Sequence, residues 1–241
     1  MFKEIDEKKA LIESKRPFSQ HTLKSIREKL LLDWTHNSNA IEGNTLTLME
    51  TKVVLEGITV GGKTLKEHLE IINHRDAILY SEDIVKNKEE LTEWQIKNIH
   101  RLILKGIEDK YAGSYRDGQV IIAGAEHISP EPFLIKNEME GFINWYYNEG
   151  QKLHPIEMAS MVHIIFVGIH PFIDGNGRTS RLLLNLELIK AGYPPIIIRK
   201  ENRLEYYNIL DKAHTTKNNK DFVNLVLAEL NTTLDLYLKY L

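Results

Sequence analysis

An all-α fold carrying one short β-hairpin is predicted by three observations. Apolar residues recur at helical spacing over most of the chain, glycine closes several of those segments, and strand-like character is confined to one stretch. Taken in order, the region before about Ser38 reads as a helical arm. Thr47-Leu48-Met49-Glu50 has the spacing of a capping box and leads into a helix-like pattern. Between Leu65 and Lys86, Ile72, Ala77, Ile78 and Leu79 recur among polar residues. Leu91 to Ile107 follows, with Thr92 as its N-cap and Gly106 near its end. Phe133 to Tyr147, Ile156 to Gly168, Arg178 to Ala191 and Phe222 to Tyr240 read the same way. Gln119 to Ala123, set between Arg116-Asp117-Gly118 and Gly124, reads as a hairpin strand. No repeat, low-complexity segment or Pro- or Ser-rich linker divides the chain. Residues 1–37 are expected to be an arm packed on the rest, and residues 38–241 the main domain.

Composition narrows the function. A length of 241 residues fits one large domain or one domain with a small appendage, and 42% apolar residues suffice for a sizeable core. Net charge is −3, which argues against a nucleic-acid partner. The absence of cysteine excludes disulfides and thiolate metal sites and suits a reducing compartment. The opening M-F-K-E-I-D-E-K-K lacks the apolar core of a signal peptide, and no apolar run is long enough to span a bilayer. A soluble cytoplasmic protein with no membrane partner is the expectation.

The chemistry concentrates in His170 to Arg181, H-P-F-I-D-G-N-G-R-T-S-R. Gly175 and Gly177 let the backbone turn tightly and bring its N–H groups close to an anion. Leu182, Leu183, Leu184 and Leu186 follow at once, so the loop opens a helix whose free N–H groups and positive dipole end would face a phosphate. Arg178 and Arg181 are neighbours on one helical face and can grip two phosphate groups. Asp174 supplies a hard oxygen ligand for a magnesium ion, and His170 a proton acceptor near neutral pH. Singly, a His-Pro marks a helix end, a Gly-Asn-Gly a turn, two arginines a solvated face and one Asp a cap. The weight lies in their falling together within twelve residues between two apolar helices.

Two other readings compete. Gly57 to Thr64, G-I-T-V-G-G-K-T, satisfies the P-loop expression, which would make the chain a P-loop NTPase. A P-loop follows a buried strand of a parallel sheet, and here a helix-like pattern precedes it, so a glycine-rich turn between helices is expected. A metal hydrolase would need clustered ligands. No H-E-x-x-H occurs, and His163 and His170 lie seven positions apart, roughly 10 Å along a helix.

The twelve-residue segment resembles the signature of the Fic family, His-Pro-Phe-x-Asp/Glu-Gly-Asn-Gly-Arg-x-x-Arg, with every specified position filled. His154-Pro155-Ile156, Ala159 and His163 resemble the preceding helix of that family. Gly113-Ser114-Tyr115-Arg116 with Val120-Ile121-Ile122 resembles its flap hairpin, and the likeness extends from about Ser38 to Leu230. The resemblance implies a Fic-type helical bundle that transfers AMP from ATP, with Mg²⁺ or Mn²⁺, onto a Tyr, Ser or Thr hydroxyl of a target protein. It implies that His170 is the general base, that Asp174 holds the metal, and that Gly175, Asn176 and Gly177 form the anion hole. Arg178 would lie on the phosphates, Arg181 on the γ-phosphate, and Phe172 would pack the loop. Val120, Ile121, Ile122 and Ala123 would hold the target by strand addition. Tyr206 and Tyr207 would line the adenine pocket.

Upstream, Ser38-Asn39-Ala40-Ile41-Glu42-Gly43 matches the family's inhibitory pattern, Ser/Thr-x-x-x-Glu-Gly/Asn. Ser38 and Glu42 share one helical face, and Gly43 suits a helix stop. The resemblance implies that Glu42 pairs with Arg181 and denies it to the γ-phosphate. In some relatives the equivalent glutamate supports AMP removal, which stays open. Other relatives transfer UMP or phosphocholine, or phosphorylate; the phosphorylating branch departs from the second loop glycine, and Gly177 is intact. AMP transfer therefore leads. The target's identity, self-modification and homo-oligomer formation are left open.

Overall fold

Threonine and glutamate three residues apart begin two of the helices, as the capping-box spacing predicts. Thr47 Oγ1 accepts from Glu50 N (3.2 Å) while Glu50 Oε2 accepts from Thr47 N (2.7 Å). Thr64 and Glu67 repeat the exchange at 2.8 and 3.2 Å, and with Thr45 they hold the Glu67 carboxyl down to about 2. The computed structural model describes residues 1–241. Ten α-helices follow one another: α1 (Lys3–Ser14), α2 (Gln20–Ile41), α3 (Leu48–Leu55), α4 (Leu65–Lys86), α5 (Glu93–Leu104), α6 (Ile135–Asn148), α7 (Pro155–Ile169), α8 (Asn176–Lys190), α9 (Arg203–Thr216) and α10 (Lys220–Tyr240).

The centre of the molecule is α8. Leu182, Leu183, Leu184, Leu186 and Leu188 are all buried, and so are Asn185 and Glu187 between them, so the helix is enclosed around its whole circumference, as a core helix is. It packs along α7 and is covered by α4, α5 and α2. One apolar cluster joins α2, α4, α5, α6, α7 and the inner face of α8; a second joins α1, α7, α9, α10 and the far face of α8. The N-terminus of this buried helix therefore reaches the surface where the end of α2, the start of α4 and the middle of α5 meet.

Three departures from the sequence reading have physical causes. Gln119 to Ala123 forms no strand, and none occurs anywhere in the chain. Its alternation would need a facing strand, and no backbone segment of the chain lies opposite; the loop's one internal backbone bond is the turn Ala125 N to Ile122 O (3.2 Å). Helix α9 went unpredicted because Leu204 (77% exposed) and Tyr207 break its apolar face. Helix α2 runs unbroken from Gln20 past Ser38 to Ile41, so the arm's second helix and the Ser38–Gly43 motif are one element. No helix is long and apolar enough to cross a membrane.

Candidate active site

Helix α7 ends on His170, whose φ of 51° and ψ of 57° lie in the left-handed region that residues other than glycine rarely occupy. Neighbours hold it there. His170 N donates to Phe166 O (3.2 Å), and Arg116 Nε donates to His170 O (2.8 Å). Arg116 N donates to Pro171 O (3.0 Å). The rest of the buried Arg116 guanidinium ties both feet of the loop that follows it, donating to Gly118 O (3.0 Å) and Pro130 O (2.5 Å). Burial pushes the His170 imidazole below its ordinary pKa; the Val167 carbonyl opposes this, and Arg116 reinforces it. The ring is neutral at neutral pH. With its Nδ1 hydrogen towards Val167 O (3.3 Å), Nε2 carries the free lone pair.

Between His170 and α8 the loop is locked by Asn176, whose side chain both accepts from Phe172 N (2.9 Å) and donates to Phe172 O (2.8 Å). His100 supports it from below. Its Nδ1 accepts from Gly113 N (2.9 Å), so Nε2 carries the hydrogen and donates to Asp174 O (2.8 Å). The ring stacks on Phe172 at 3.6 Å, and burial takes its pKa down to about 4. Gly175 adopts φ 77°, and a Cβ there would come within 3.2 Å of His100. The loop thus delivers the first N–H groups of α8, which have no intrahelical acceptor, to the surface.

Asp174 is half-exposed. Its Oδ1 accepts from Gly175 N (2.6 Å) and its Oδ2 from Arg178 Nη2 (3.2 Å). Burial raises its pKa, but Arg178 and the Gly175 N–H outweigh that and hold the carboxyl below its usual value. No cluster of three or more His, Cys, Asp or Glu side chains stands ready to cage a metal. A single accessible carboxylate fits a magnesium-type ion that arrives with phosphate oxygens as its other ligands, and does not fit a resident metal.

Both arginines of the motif are buried. Arg178 lies between Asp174 and Glu70, whose Oε1 is 3.4 Å away. Arg181 donates from Nε to Ser38 Oγ (3.0 Å) and from Nη2 to Ser38 O (2.8 Å) and Glu42 Oε1 (2.7 Å). Ser38 and Glu42, 143 and 139 positions away in the chain, meet Arg181 across the α2–α8 contact. Gly43 follows at φ 100° and turns the chain out of α2. Burial alone would lower the Arg181 pKa, yet the Glu42 carboxylate raises it further. The neighbouring His74, buried beside both guanidiniums, is held neutral by burial and by their charge.

Other expected positions fall elsewhere. Tyr206 is 1% exposed; its hydroxyl lies 3.4 Å from Arg181 Nη1 and 2.9 Å from His163 Nε2. It packs behind the arginine, because the apolar face of α9 turns inward there, and lines no open pocket. Tyr207 is partly exposed and donates to Ile41 O (3.2 Å), beside Glu42. Of Val120, Ile121, Ile122 and Ala123, Ile121 is 93% exposed on the loop above His170. Gly57 to Thr64 is the turn between α3 and α4, with no strand before it. Lys63 Nζ donates to Thr45 O (2.8 Å), and Thr64 caps α4, so neither is free for a phosphate and the P-loop reading is overturned.

Residues 90–188, which hold this loop–helix unit, match the model of the Fic/DOC family. A solved Fic domain containing signaling protein from Bacteroides thetaiotaomicron is 32% identical, with 99% of this chain and 96% of that one aligned at a TM-score of 0.88. The chain belongs to the Fic/DOC family. Fic-1 (residues 134–508) from C. elegans is similar at a TM-score of 0.90 and 28% identity, over 99% of this chain and 71% of that one. Two relatives named protein adenylyltransferase Fic are similar in sequence. That of Nematostella vectensis is 37% identical over 99% of this chain and 56% of its own length. That of Drosophila grimshawi is 39% identical over 90% and 44%. The chain thus spans about half the length of the curated relatives it matches.

Ser38 to Gly43 lies outside the stretch matched by the Fic/DOC model, so its place in the site rests on the contacts with Arg181. The signature also left three contributors unmarked. His100, Arg116 and Glu70 act through contacts to residues far along the chain; Arg116 alone falls in a local pattern, Gly113 to Arg116, and that pattern does not indicate its contact with His170.

Proposed function

We propose that this Fic-family chain is a protein adenylyltransferase: it transfers AMP from ATP to a hydroxyl of a target protein. The carrying observation is that a neutral His170, the Asp174 carboxylate, the free N-terminus of α8 and two buried arginines converge in one loop–helix unit. The names of the relatives from Nematostella and Drosophila support the same reading.

In this reading the target hydroxyl gives its proton to His170 Nε2 as its oxygen bonds to the α-phosphorus of ATP. The bond from that phosphorus to the bridging oxygen of the β-phosphate breaks, and pyrophosphate leaves. The N–H groups of Asn176 and Gly177 receive the phosphoryl oxygens, joined by that of Gly175 when Asp174 Oδ1 gives it up, with Arg178 beside them and Arg181 for the γ-phosphate. Asp174 would hold the Mg²⁺ or Mn²⁺, which neutralises phosphate charge. Such a site needs position and charge more than covalent chemistry: a placed base is worth roughly 10²- to 10⁴-fold and one oxyanion donor roughly 10²- to 10³-fold. The Val120–Ala123 segment gains its missing strand partner from the target's backbone and acts as the flap that holds it. Glu42, with Ser38 and Gly43 positioning it, is the brake that holds Arg181 away from the γ-phosphate.

The test uses the Glu42→Gly variant with ATP labelled at the α-phosphate, a cell lysate as target source, and intact-mass analysis of the chain itself. Label should enter protein as AMP with ATP and not with UTP, GTP or CTP. His170→Ala should lose transfer while ATP affinity stays within about twofold, and excess EDTA or Asp174→Ala should abolish it. A phosphate adduct, a different nucleotide, or no label at all from a folded enzyme would overturn the reading.

A further inference from the structure

A cavity of about 380 Å³ lies between α1 and α2, well away from His170, a size ordinary for small-molecule sites. Its floor is apolar, with Leu30, Leu31 and Trp34 of α2 facing Leu234 of α10. Its rim carries three cations, Lys9, Arg16 and Arg27, against two carboxylates, Glu13 and Glu82. Each arginine presents Nε and Nη2 to one of those carboxylates, Arg16 to Glu13 and Arg27 to Glu82. Both pairs are solvent-exposed and contribute little to stability, so a carboxylate entering the cavity can take over either fork at small cost. The rim's surplus positive charge favours such an entrant. On the floor, the buried Trp34 Nε1 has no hydrogen-bond partner in the protein.

This floor is connected to the brake. Leu30, Trp34, Ser38 and Glu42 are spaced by four, which stacks them on one face of α2. Trp34 lines both the cavity and a small void of about 10 Å³ that Ser38 and Arg181 also line. Whatever fixes α2 at Trp34 fixes it one and two turns on, where Arg181 is held.

We propose that this cavity is an effector site for an amphipathic monoanion, with an apolar chain on the α2 floor and a carboxylate on the arginine rim. Its occupancy holds the Glu42–Arg181 contact closed and lowers transfer; that consequence rests on the adenylyltransferase reading. The direction follows from the arrangement: the cavity is open in the same conformation in which Glu42 is closed on Arg181. A ligand shifts a protein towards the state it fits.

Decanoate, kept below its micelle-forming concentration, is the probe, with the full chain throughout. Calorimetry should give one saturable site that decanol and decylammonium do not match. Filling the cavity with Leu31→Trp, or with Leu23→Trp should the first fail to fold, should abolish binding. Arg27→Glu should weaken it at least about tenfold. Saturation should slow α-phosphate labelling by roughly fivefold or more, the lower end of ordinary coupling, and Glu42→Gly should be insensitive. Reciprocity requires decanoate to bind Glu42→Gly correspondingly more weakly, which calorimetry reads whether or not the chain transfers AMP. Absence of saturable binding, binding unchanged by a folded cavity-filling variant, or equal affinity for wild type and Glu42→Gly would overturn the proposal. Absence of labelling by Glu42→Gly without decanoate would instead overturn the adenylyltransferase reading alone.

Discussion

A Cβ placed on Gly177 would lie 2.3 Å from Glu42 Oε1 and 3.1 Å from Arg181 Nη1. The glutamate's carboxylate therefore rests against the first turn of α8, and under the proposed function it and the γ-phosphate would compete for one cation. Each tenfold of inhibition requires about 1.4 kcal/mol of preference for the closed pair. Close charge pairs that are shielded from water reach couplings of roughly 1.5–7 kcal/mol, exposed pairs roughly 0–1. Arg181 is 4% exposed at its side chain and Glu42 30%, so the pair sits nearer the shielded limit but short of it. Glu42→Gly is accordingly expected to raise transfer by about tenfold or more, and Arg181→Ala to cancel the gain. Rates of the two single variants and the double variant decide this: activation that survives without Arg181 would disprove the competition. Both residues could be read from the sequence because each belongs to a short motif. His100 could not, since its place beneath Asp174 is set by a contact spanning 74 positions.

Among the elements, the helices were the readable part. Leu65–Lys86 has the bounds that its apolar recurrence indicates. The Gln119–Ala123 segment was not readable as a loop, because alternation records a strand's preference and not whether a partner strand is present. Arg116 ties the loop at its two feet, its fork joining Gly118 and Pro130 to the carbonyl of His170, while Asp211 accepts from Glu126 N and His127 N at the loop's far side. One side chain therefore joins the feet of this loop to the left-handed end of α7. Lysine keeps the charge but cannot make these bonds together, being a single point donor. Arg116→Lys should lower transfer in a Glu42→Gly background by roughly 10- to 100-fold, the scale of a slight misplacement of reacting groups. ATP affinity should hold, and amide exchange at residues 117–130 should quicken. Unchanged transfer together with unchanged exchange would show that the loop and His170 are fixed by other contacts.

At the scale of the whole molecule, the helical core that carries the site also buries histidines as neutral groups. Six of the ten histidines are held below their ordinary pKa of 6.5, in each case chiefly by burial: His36, His74, His100, His163, His170 and His214. The unfolded chain protonates these rings near 6.5, whereas the folded chain resists until lower pH, to about 4 for His100. Between those values the unfolded state binds more protons, so stability is fully present above 6.5 and is lost as pH falls. Glu187 and Glu229, whose buried carboxyls are raised, act in the opposite sense but only as pH nears the carboxylate range. Counting only the deeply buried His74, His100 and His163, whose unfolded rings are half-charged at 6.5 and nearly fully charged at 5.5, the loss over that unit is about 3 kcal/mol. For a domain of this length that lowers the melting temperature by about 6–12 °C between pH 6.5 and 5.5. Melting curves followed by helical circular dichroism at pH 7.5, 6.5, 5.5 and 5.0 test it. The midpoint should fall only slightly between the first two and then steeply. His74→Gln, which removes one of the titrating rings, should make the fall shallower even if its midpoint at pH 7.5 is lower. A midpoint that is level or rises down to pH 5.0 would mean that the buried imidazoles are not neutral partners of the fold.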